Sequence, residues 1–161
     1  MERIILGSGC FWGAQDILRK IPGVVHTEVG YAGGNLEEAT YKEVKTGSTG
    51  HAESVDLQFD PQKTNLGKIL DVFFRMHDPT TEDRQGNDIG SQYRSVIFYF
   101  TPEQKQVIEN KMAEIEAKGF WKKPLVTQVV PFRNYFKAEE YHQDYLLKNP
   151  NGYSCHFLRD F

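Results

Sequence analysis

The sequence is poor in the features that mark several classes of protein. It has two cysteines among 161 residues, and neither belongs to a C-x-x-C pair. This excludes the disulfide framework of a small secreted protein, and it gives no sign of a zinc or thioredoxin-type motif. No apolar run approaches the roughly 20 residues that span a bilayer. The N-terminus also lacks a long apolar segment with a cleavage site. We therefore predict a soluble, cytoplasmic protein with no membrane segment.

An excess of charge is also missing. The net charge is −3 and there is no basic tract, so we do not expect a nucleic-acid-binding protein. The five histidines show no metal-ligand spacing, and no phosphate loop or dinucleotide fingerprint occurs. Apolar residues make up 39% of the chain and charged residues 25%, which is typical of one globular domain. We predict a monomer, because no apolar stripe suggests an interface.

Hydrophobic periodicity predicts an alternation of strands and helices. Strands are expected at 3–7, 24–34, 51–59, 93–100 and 125–131, and helices at about 10–21, 66–77, 102–117 and 138–149. This order favours an α+β fold, a single-domain two-layer sandwich with a mixed sheet and a split βαβ (ferredoxin-like) core. We assign 1–161 to one catalytic domain whose short C-terminal tail begins at about residue 149.

Cys10 lies in the segment GSGCFWG, at positions 7–13, where the first strand passes into the first helix. We expect Ser8 or Gly9 to cap that helix. Backbone N–H groups and the helix dipole at such a position favour an anion, so a thiol there is shifted towards the reactive thiolate. The alternative is a buried structural thiol.

Glu53 is predicted to point inward. It alternates with Val55, Leu57 and Phe59 on one face of its strand, whereas Ser54 and its alternates fall on the other face. Burial favours the neutral acid, so Glu53 could be a proton donor near neutral pH. The alternative is a strand-end carboxylate that faces solvent or pairs with an arginine.

Other residues give weaker signals. Asp88 and Tyr93 lie in the glycine-rich loop QGNDIGSQYRS and could orient a water or donate hydrogen bonds. Phe11 fits the core stripe of the first helix, whereas Trp12 lies off that stripe and could form a pocket wall. Cys155 follows the last helix, and a tail cysteine is suited to resolve an oxidised thiol elsewhere.

Taken together, these segments resemble the type A peptide methionine sulfoxide reductases. The matching motifs are GSGCFWG, VGYAGG, TYKEVKTGSTGHAESV, QGNDIGSQYRS and YHQDYLLKNPNGY, and they occur in the family's order over nearly the whole chain. The resemblance implies that Cys10 attacks the sulfur of methionine S-sulfoxide, free or in proteins, and that Glu53 protonates its oxygen. It further implies assistance from Tyr41, Tyr93 and Asp88, and an apolar wall for the S-methyl group formed by Phe11 and Trp12.

The resemblance also implies a reaction cycle. Loss of methionine would leave a sulfenic acid on Cys10, Cys155 would convert it to a disulfide, and thioredoxin would reduce that disulfide. No metal, flavin or nicotinamide is expected. Some relatives have one or two recycling cysteines in a longer glycine-rich tail; here the tail is short and contains only Cys155, so a single resolving thiol is expected.

Two other functions are compatible with parts of the sequence. One is a cysteine hydrolase or acyltransferase in which His51 or His142 serves as the base for Cys10. The other is a non-catalytic domain whose aromatic pocket binds oxidised or methylated groups. Neither explains why Glu53, Trp12 and Cys155 accompany Cys10.

Overall fold

The structure is a computed structural model that describes residues 1–154 and 156–161, so Cys155 lies outside the described residues. The strands are β1 (Glu2–Ser8), β2 (Val24–Ala32), β3 (Ala52–Phe59), β4 (Arg84–Gln85), β5 (Asp88–Ile89), β6 (Ser95–Tyr99), β7 (Gln128–Pro131) and β8 (Tyr135–Lys137). The helices are α1 (Phe11–Leu18), α2 (Tyr41–Val44), α3 (Leu66–Met76), α4 (Pro102–Lys118) and α5 (Tyr145–Lys148). Within the described part of the chain, no helix is long and apolar enough to cross a bilayer.

The sheet has the predicted split βαβ core. Its six strands run in the order β7-β6-β1-β3-β2-β8, and β4 and β5 form a separate hairpin. The four strands β6, β1, β3 and β2 pair antiparallel throughout. The unit β1-α1-β2 leaves a gap that β3 fills, and the unit β3-α3-β6 leaves a gap that β1 fills. Strand β7 adds parallel to β6, and β8 adds antiparallel to β2. The α+β prediction is confirmed.

Helix α3 shows how local sequence and burial agree. Asn65 caps it by accepting a hydrogen bond from the Lys68 N–H at 2.9 Å. Ile69, Phe73 and Met76 follow at helical spacing and are fully buried. They pack with side chains from α1 and the sheet into the main core, which fixes the start of α1 relative to β3.

Strand β3 differs from the prediction because both of its faces are covered. The strand lies in the middle of the sheet, so Ser54 and Asp56 are buried as well as Glu53 and Val55. A second, smaller apolar cluster covers the other face. Asp56 is accommodated there by a bidentate ion pair with Arg3, at 2.8 and 3.0 Å.

The predictions for the C-terminal part were wrong in two details. The strand at 125–131 is not the last one, because β8 follows it. The helix expected at 138–149 is broken into a 3₁₀ turn, Glu140–His142, and the short α5, because Asp144 between them has a φ of 52°. The Gln143 side chain explains the break: it bonds both the N–H and the C=O of Val29, at 2.9 and 2.8 Å. These hydrogen bonds to β2 hold the segment in a non-helical path.

Candidate active site

Cys10 is the cap of α1, rather than Ser8 or Gly9 as the sequence suggested. Cys10 is 8% exposed, and its φ and ψ of −57° and 122° are not helical values. Gly9 makes this turn with a φ of 93°, and a Cβ at Gly9 would lie 2.7 Å from the Gln85 side chain. The thiol therefore sits directly at the positive end of the helix.

Glu53 lies beneath this helix start. It is 2% exposed, and its Oε1 accepts a hydrogen bond from the Phe11 N–H at 3.2 Å. Burial raises the pKa of Glu53 from its usual 4.5 to about 8 and outweighs the Phe11 bond, which lowers it; the negative charge of Asp88 raises it further. Glu53 therefore holds its proton at neutral pH, as the inward-facing pattern predicted.

Two tyrosines face the same space from different segments. Tyr41 begins α2, which Thr40 and Glu43 cap reciprocally, and Tyr93 ends a 3₁₀ turn, Ser91–Tyr93. Burial first, and then the neighbouring Glu53, raises the pKa of both phenols. Both stay protonated and can donate hydrogen bonds.

One small cavity brings these residues together. Its volume is about 80 Å³, and its lining residues are Cys10, Phe11, Trp12, Tyr41, Glu53, Asp88, Tyr93 and Tyr153. The first seven are the sequence-predicted site residues apart from Cys155. Sequence reasoning missed Tyr153, whose hydroxyl donates to Asp88 Oδ2 at 3.2 Å; its place in the NPNGY segment beside Cys155 was the available signal.

A larger groove of about 680 Å³ lies elsewhere and contains no cysteine. Its lining residues are Met1, Glu2, Arg3, Asn65, Leu66, Gly67, Phe100, Thr101, Glu103, Gln104 and Val107. Size favours this groove, but chemistry favours the small cavity, which a thiol, a protonated carboxyl and three phenols line. We therefore take the small cavity as the candidate active site.

Trp12 is fixed by residues from the C-terminal part of the chain. Its indole N–H donates to His142 Nδ1 at 2.9 Å, and its ring stacks on Tyr145 with centroids 3.7 Å apart and planes 7° from parallel. Phe11 is almost fully buried, and its ring lies 5.8 Å from that of Tyr31. The cavity lining thus includes two aromatic rings that are held by contacts with the rest of the protein.

Each of the two histidines of the hydrolase alternative has at least one ring nitrogen bonded to a group other than a cysteine. His51 Nδ1 accepts from the Gly34 N–H at 3.0 Å and its Nε2–H donates to the Leu36 carbonyl at 2.7 Å, so both nitrogens hold a backbone loop. The Nδ1 of His142 holds Trp12. Neither side chain lines the cavity. Outside Cys155, which is not described, no three His, Cys, Asp or Glu residues cluster as metal ligands would.

Comparison with known proteins agrees with this geometry. The sequence model of the family described as peptide methionine sulfoxide reductase matches residues 2–160. The chain belongs to this family. Peptide methionine sulfoxide reductase MsrA of Nocardia farcinica is 51% identical over 98% of this chain and 91% of its own length. As a reductase of this family the chain is an oxidoreductase, and the resemblance seen in the sequence is confirmed.

Solved structures extend the agreement to the fold. Mxr1 from Saccharomyces cerevisiae in reduced form superposes with a TM-score of 0.93 at 38% identity, covering 99% of this chain and 92% of that one. Mxr1 in complex with Trx2 gives a TM-score of 0.67 at 26% identity, covering 99% and 90%.

Proposed function

We propose that this reductase converts methionine S-sulfoxide, free or in proteins, to methionine by thiol chemistry at Cys10. The Cys10 sulfur attacks the sulfoxide sulfur while Glu53 gives its proton to the sulfoxide oxygen. The oxygen passes to Cys10 as a sulfenic acid, and methionine leaves with two more electrons. The observation that carries this proposal is the meeting of Cys10 and the protonated Glu53 in one cavity.

The cavity also supports a preference for one epimer. Trp12 and Phe11 supply an apolar side for the S-methyl group, and Glu53, Tyr41 and Tyr93 supply donors for the oxygen. A volume of about 80 Å³ admits a group the size of a methyl sulfoxide but little more. Exchanging methyl and oxygen would place a polar oxygen against the rings and leave buried donors unpaired, which is costly.

We assign the second step to Cys155, which would attack the sulfenic acid to give a Cys10–Cys155 disulfide and water. The residues that flank it in sequence support this role. Tyr153 lines the cavity, and the His156 Nε2–H donates to the Ser8 carbonyl at 2.7 Å, two residues before Cys10. The 149–161 tail is thus, in this proposal, part of a single catalytic domain.

Thioredoxin is the proposed reductant of the disulfide, and the solved complex of Mxr1 with Trx2 supports that choice. Thiol–disulfide exchange would transfer two electrons to the reductase and leave thioredoxin oxidised. The electrons come from thiols throughout, so the scheme needs no further cofactor. We propose that the chain works as a monomer in the cytoplasm, where thioredoxin keeps thiols reduced.

The proposal is tested by mixing fully reduced protein with excess methionine S-sulfoxide and no reductant. We expect about one methionine per chain and the loss of both thiols. The same experiment with the R epimer should release little methionine. One methionine with Cys155 still reduced would remove Cys155 from the cycle, and no methionine with both thiols intact would overturn the proposal.

His142 should set substrate affinity, because its Nδ1 holds the indole of Trp12. Replacing His142 with Leu leaves the partly buried indole N–H of Trp12 without its acceptor, which costs about 1 kcal/mol, the lower end of the range for an unsatisfied donor. We expect the Kd for methionine S-sulfoxide to rise about fivefold or more, with a smaller change in the rate of the bound complex. Single-turnover rates at increasing substrate concentration separate the two. Tyr141→Phe, at the exposed neighbouring ring, is the control; equal Kd values in both variants would contradict this role.

A further inference from the structure

Glu139 does not line the cavity, yet it is bonded to a residue that does. One carboxylate oxygen, Oε2, accepts the backbone N–H of Tyr41 at 2.9 Å. The other, Oε1, accepts the hydroxyl of Tyr31 at 2.7 Å. Both oxygens are therefore used, and each bond crosses from the segment after β8 to a part of the chain about a hundred residues earlier.

The bond to Tyr41 matters because α2 is a single turn of four residues. So short a helix has little stability of its own, and its orientation depends on tertiary contacts. Thr40 and Glu43 form a reciprocal pair of capping hydrogen bonds at its start, but this capping box is exposed and contacts only the helix itself through those bonds. Glu139 instead joins the first residue of α2 to the edge of the sheet.

Glu139 is itself held in place on both sides. The Ala138 N–H donates to the Val29 carbonyl at 3.0 Å, and Gln143 bonds both backbone groups of Val29. The carboxylate thus projects from a segment that is anchored twice on one residue of β2. A fixed acceptor of this kind can define where the backbone of Tyr41 lies.

The second bond links Glu139 to the neighbourhood of Glu53. Tyr31 is fully buried on β2 and lies directly opposite Glu53 on β3, so both side chains are on the same face of the sheet. Burial acts to raise the pKa of Glu139, but the bonds from Tyr41 and Tyr31 lower it, so Glu139 stays ionised where Glu53 stays protonated. The two carboxyls are kept in opposite states by their surroundings.

We propose that Glu139 is a positioning residue that holds Tyr41 so that its hydroxyl meets the sulfoxide oxygen beside Glu53. This rests on the proposed function, in which Tyr41 donates to that oxygen. Glu139 itself touches neither substrate nor thiol. Its effect passes through one backbone N–H, and loss of that bond lets α2 shift and moves the phenol away from the reacting group.

The test measures methionine formed in a single turnover by reduced Glu139→Ala, with Glu140→Ala as the matched control. Glu140 is the exposed neighbour, and its carboxylate pairs with the partly exposed Lys137 at 3.7 Å. Misplacing a catalytic donor slows chemistry by about 10- to 100-fold. We expect a loss of at least about tenfold in the rate constant for Glu139→Ala and no more than about a threefold change in Kd. Glu140→Ala should match the wild type.

Two further variants separate positioning from general loss of structure. Glu139→Gln should recover most of the rate, because its oxygen can accept from Tyr41 while its amide donates to the Tyr31 oxygen. Glu139→Asp keeps the charge, but its side chain is shorter by one methylene, so its single-turnover rate constant should fall several-fold. This variant replaces Glu139→Ala in the test if the alanine variant does not fold.

The deciding comparison uses a Tyr41→Phe background, where the hydroxyl is already absent. There Glu139→Ala and Glu139→Asp should cause little further loss, since coupled residues are not additive. If the Glu139 substitutions lowered the rate constant equally in the wild-type and Tyr41→Phe backgrounds, or in neither, the inference would be overturned. If the wild type itself releases no methionine, the proposed function has failed instead.

Discussion

Reduced Cys155→Ser is expected to release about one methionine per chain and then to stop, even with thioredoxin present. Cys10 can still attack the sulfoxide, but its sulfenic acid has no resolving thiol on the chain. Sustained turnover with thioredoxin should therefore be absent, or at least about tenfold slower than in the wild type, because thioredoxin reduces disulfides through a mixed disulfide. A 1,3-dione reagent that labels sulfenic acids should mark Cys10 in this variant and not in the wild type.

Cys10→Ser provides the matched comparison. It keeps Cys155 but lacks the nucleophile, so it should release no methionine and take up no label. Wild-type turnover by Cys155→Ser with thioredoxin would show that Cys155 is not the recycling thiol. Methionine release by Cys10→Ser would remove Cys10 as the nucleophile.

The parts of the site that sequence predicted are those set by local rules. The glycines around Cys10 mark a sharp strand-to-helix turn, and the alternation at Glu53 marks a side chain that faces inward. Helix α2 was not predicted, although Thr40 and Glu43 form a capping box three residues apart, which is a local signal of the same kind. Each of these depends on residues close together in the chain.

The parts that sequence missed depend on contacts between distant segments. Nothing near Glu139 signals that its carboxylate bonds Tyr31 and Tyr41, because both partners are about a hundred residues away. The break in the predicted last helix has the same origin. Gln143 bonds Val29 and Gln15 Oε1 accepts the Asp144 N–H at 2.9 Å, and these contacts overcome the helical periodicity. Tertiary hydrogen bonds of this kind are invisible to periodicity.

Glu53→Gln is expected to slow the first chemical step by about 10²- to 10⁴-fold, the contribution of a positioned general acid. Glutamine has nearly the same shape, and its oxygen can still accept the Phe11 N–H. It can donate a hydrogen bond to the sulfoxide oxygen but cannot transfer a proton, so Kd should change little. Single-turnover methionine release measures both, with Glu114→Gln on the exposed face of α4 as the control. A wild-type rate at neutral pH would remove Glu53 from the mechanism.

The pH dependence of the rate provides an independent test of the role of Glu53. Glu53 is the active acid only while protonated, so the wild-type rate should fall as pH rises through about 8. Glu53→Gln has no such group, and its low rate should show no fall there. The negative charge of Asp88 contributes to the raised pKa, so Asp88→Asn should move the fall to lower pH. A fall that stays at the same pH in Glu53→Gln would belong to another group.

The pH dependence of stability reports the protonation of Glu53 without any measurement of catalysis. The unfolded carboxyl ionises near its usual pKa of 4.5, whereas folded Glu53 holds its proton up to about pH 8. Between these values the folded protein binds a proton that the unfolded chain has released, so the stability that Glu53 confers is full below about pH 4 and is lost as pH rises through 8. Glu53→Gln lacks this loss. The Tm of Glu53→Gln relative to the wild type should therefore rise from pH 4 to pH 8. A constant difference in Tm would show that Glu53 is ionised in the folded protein at neutral pH. In that case Glu53 could not be the acid that protonates the sulfoxide oxygen.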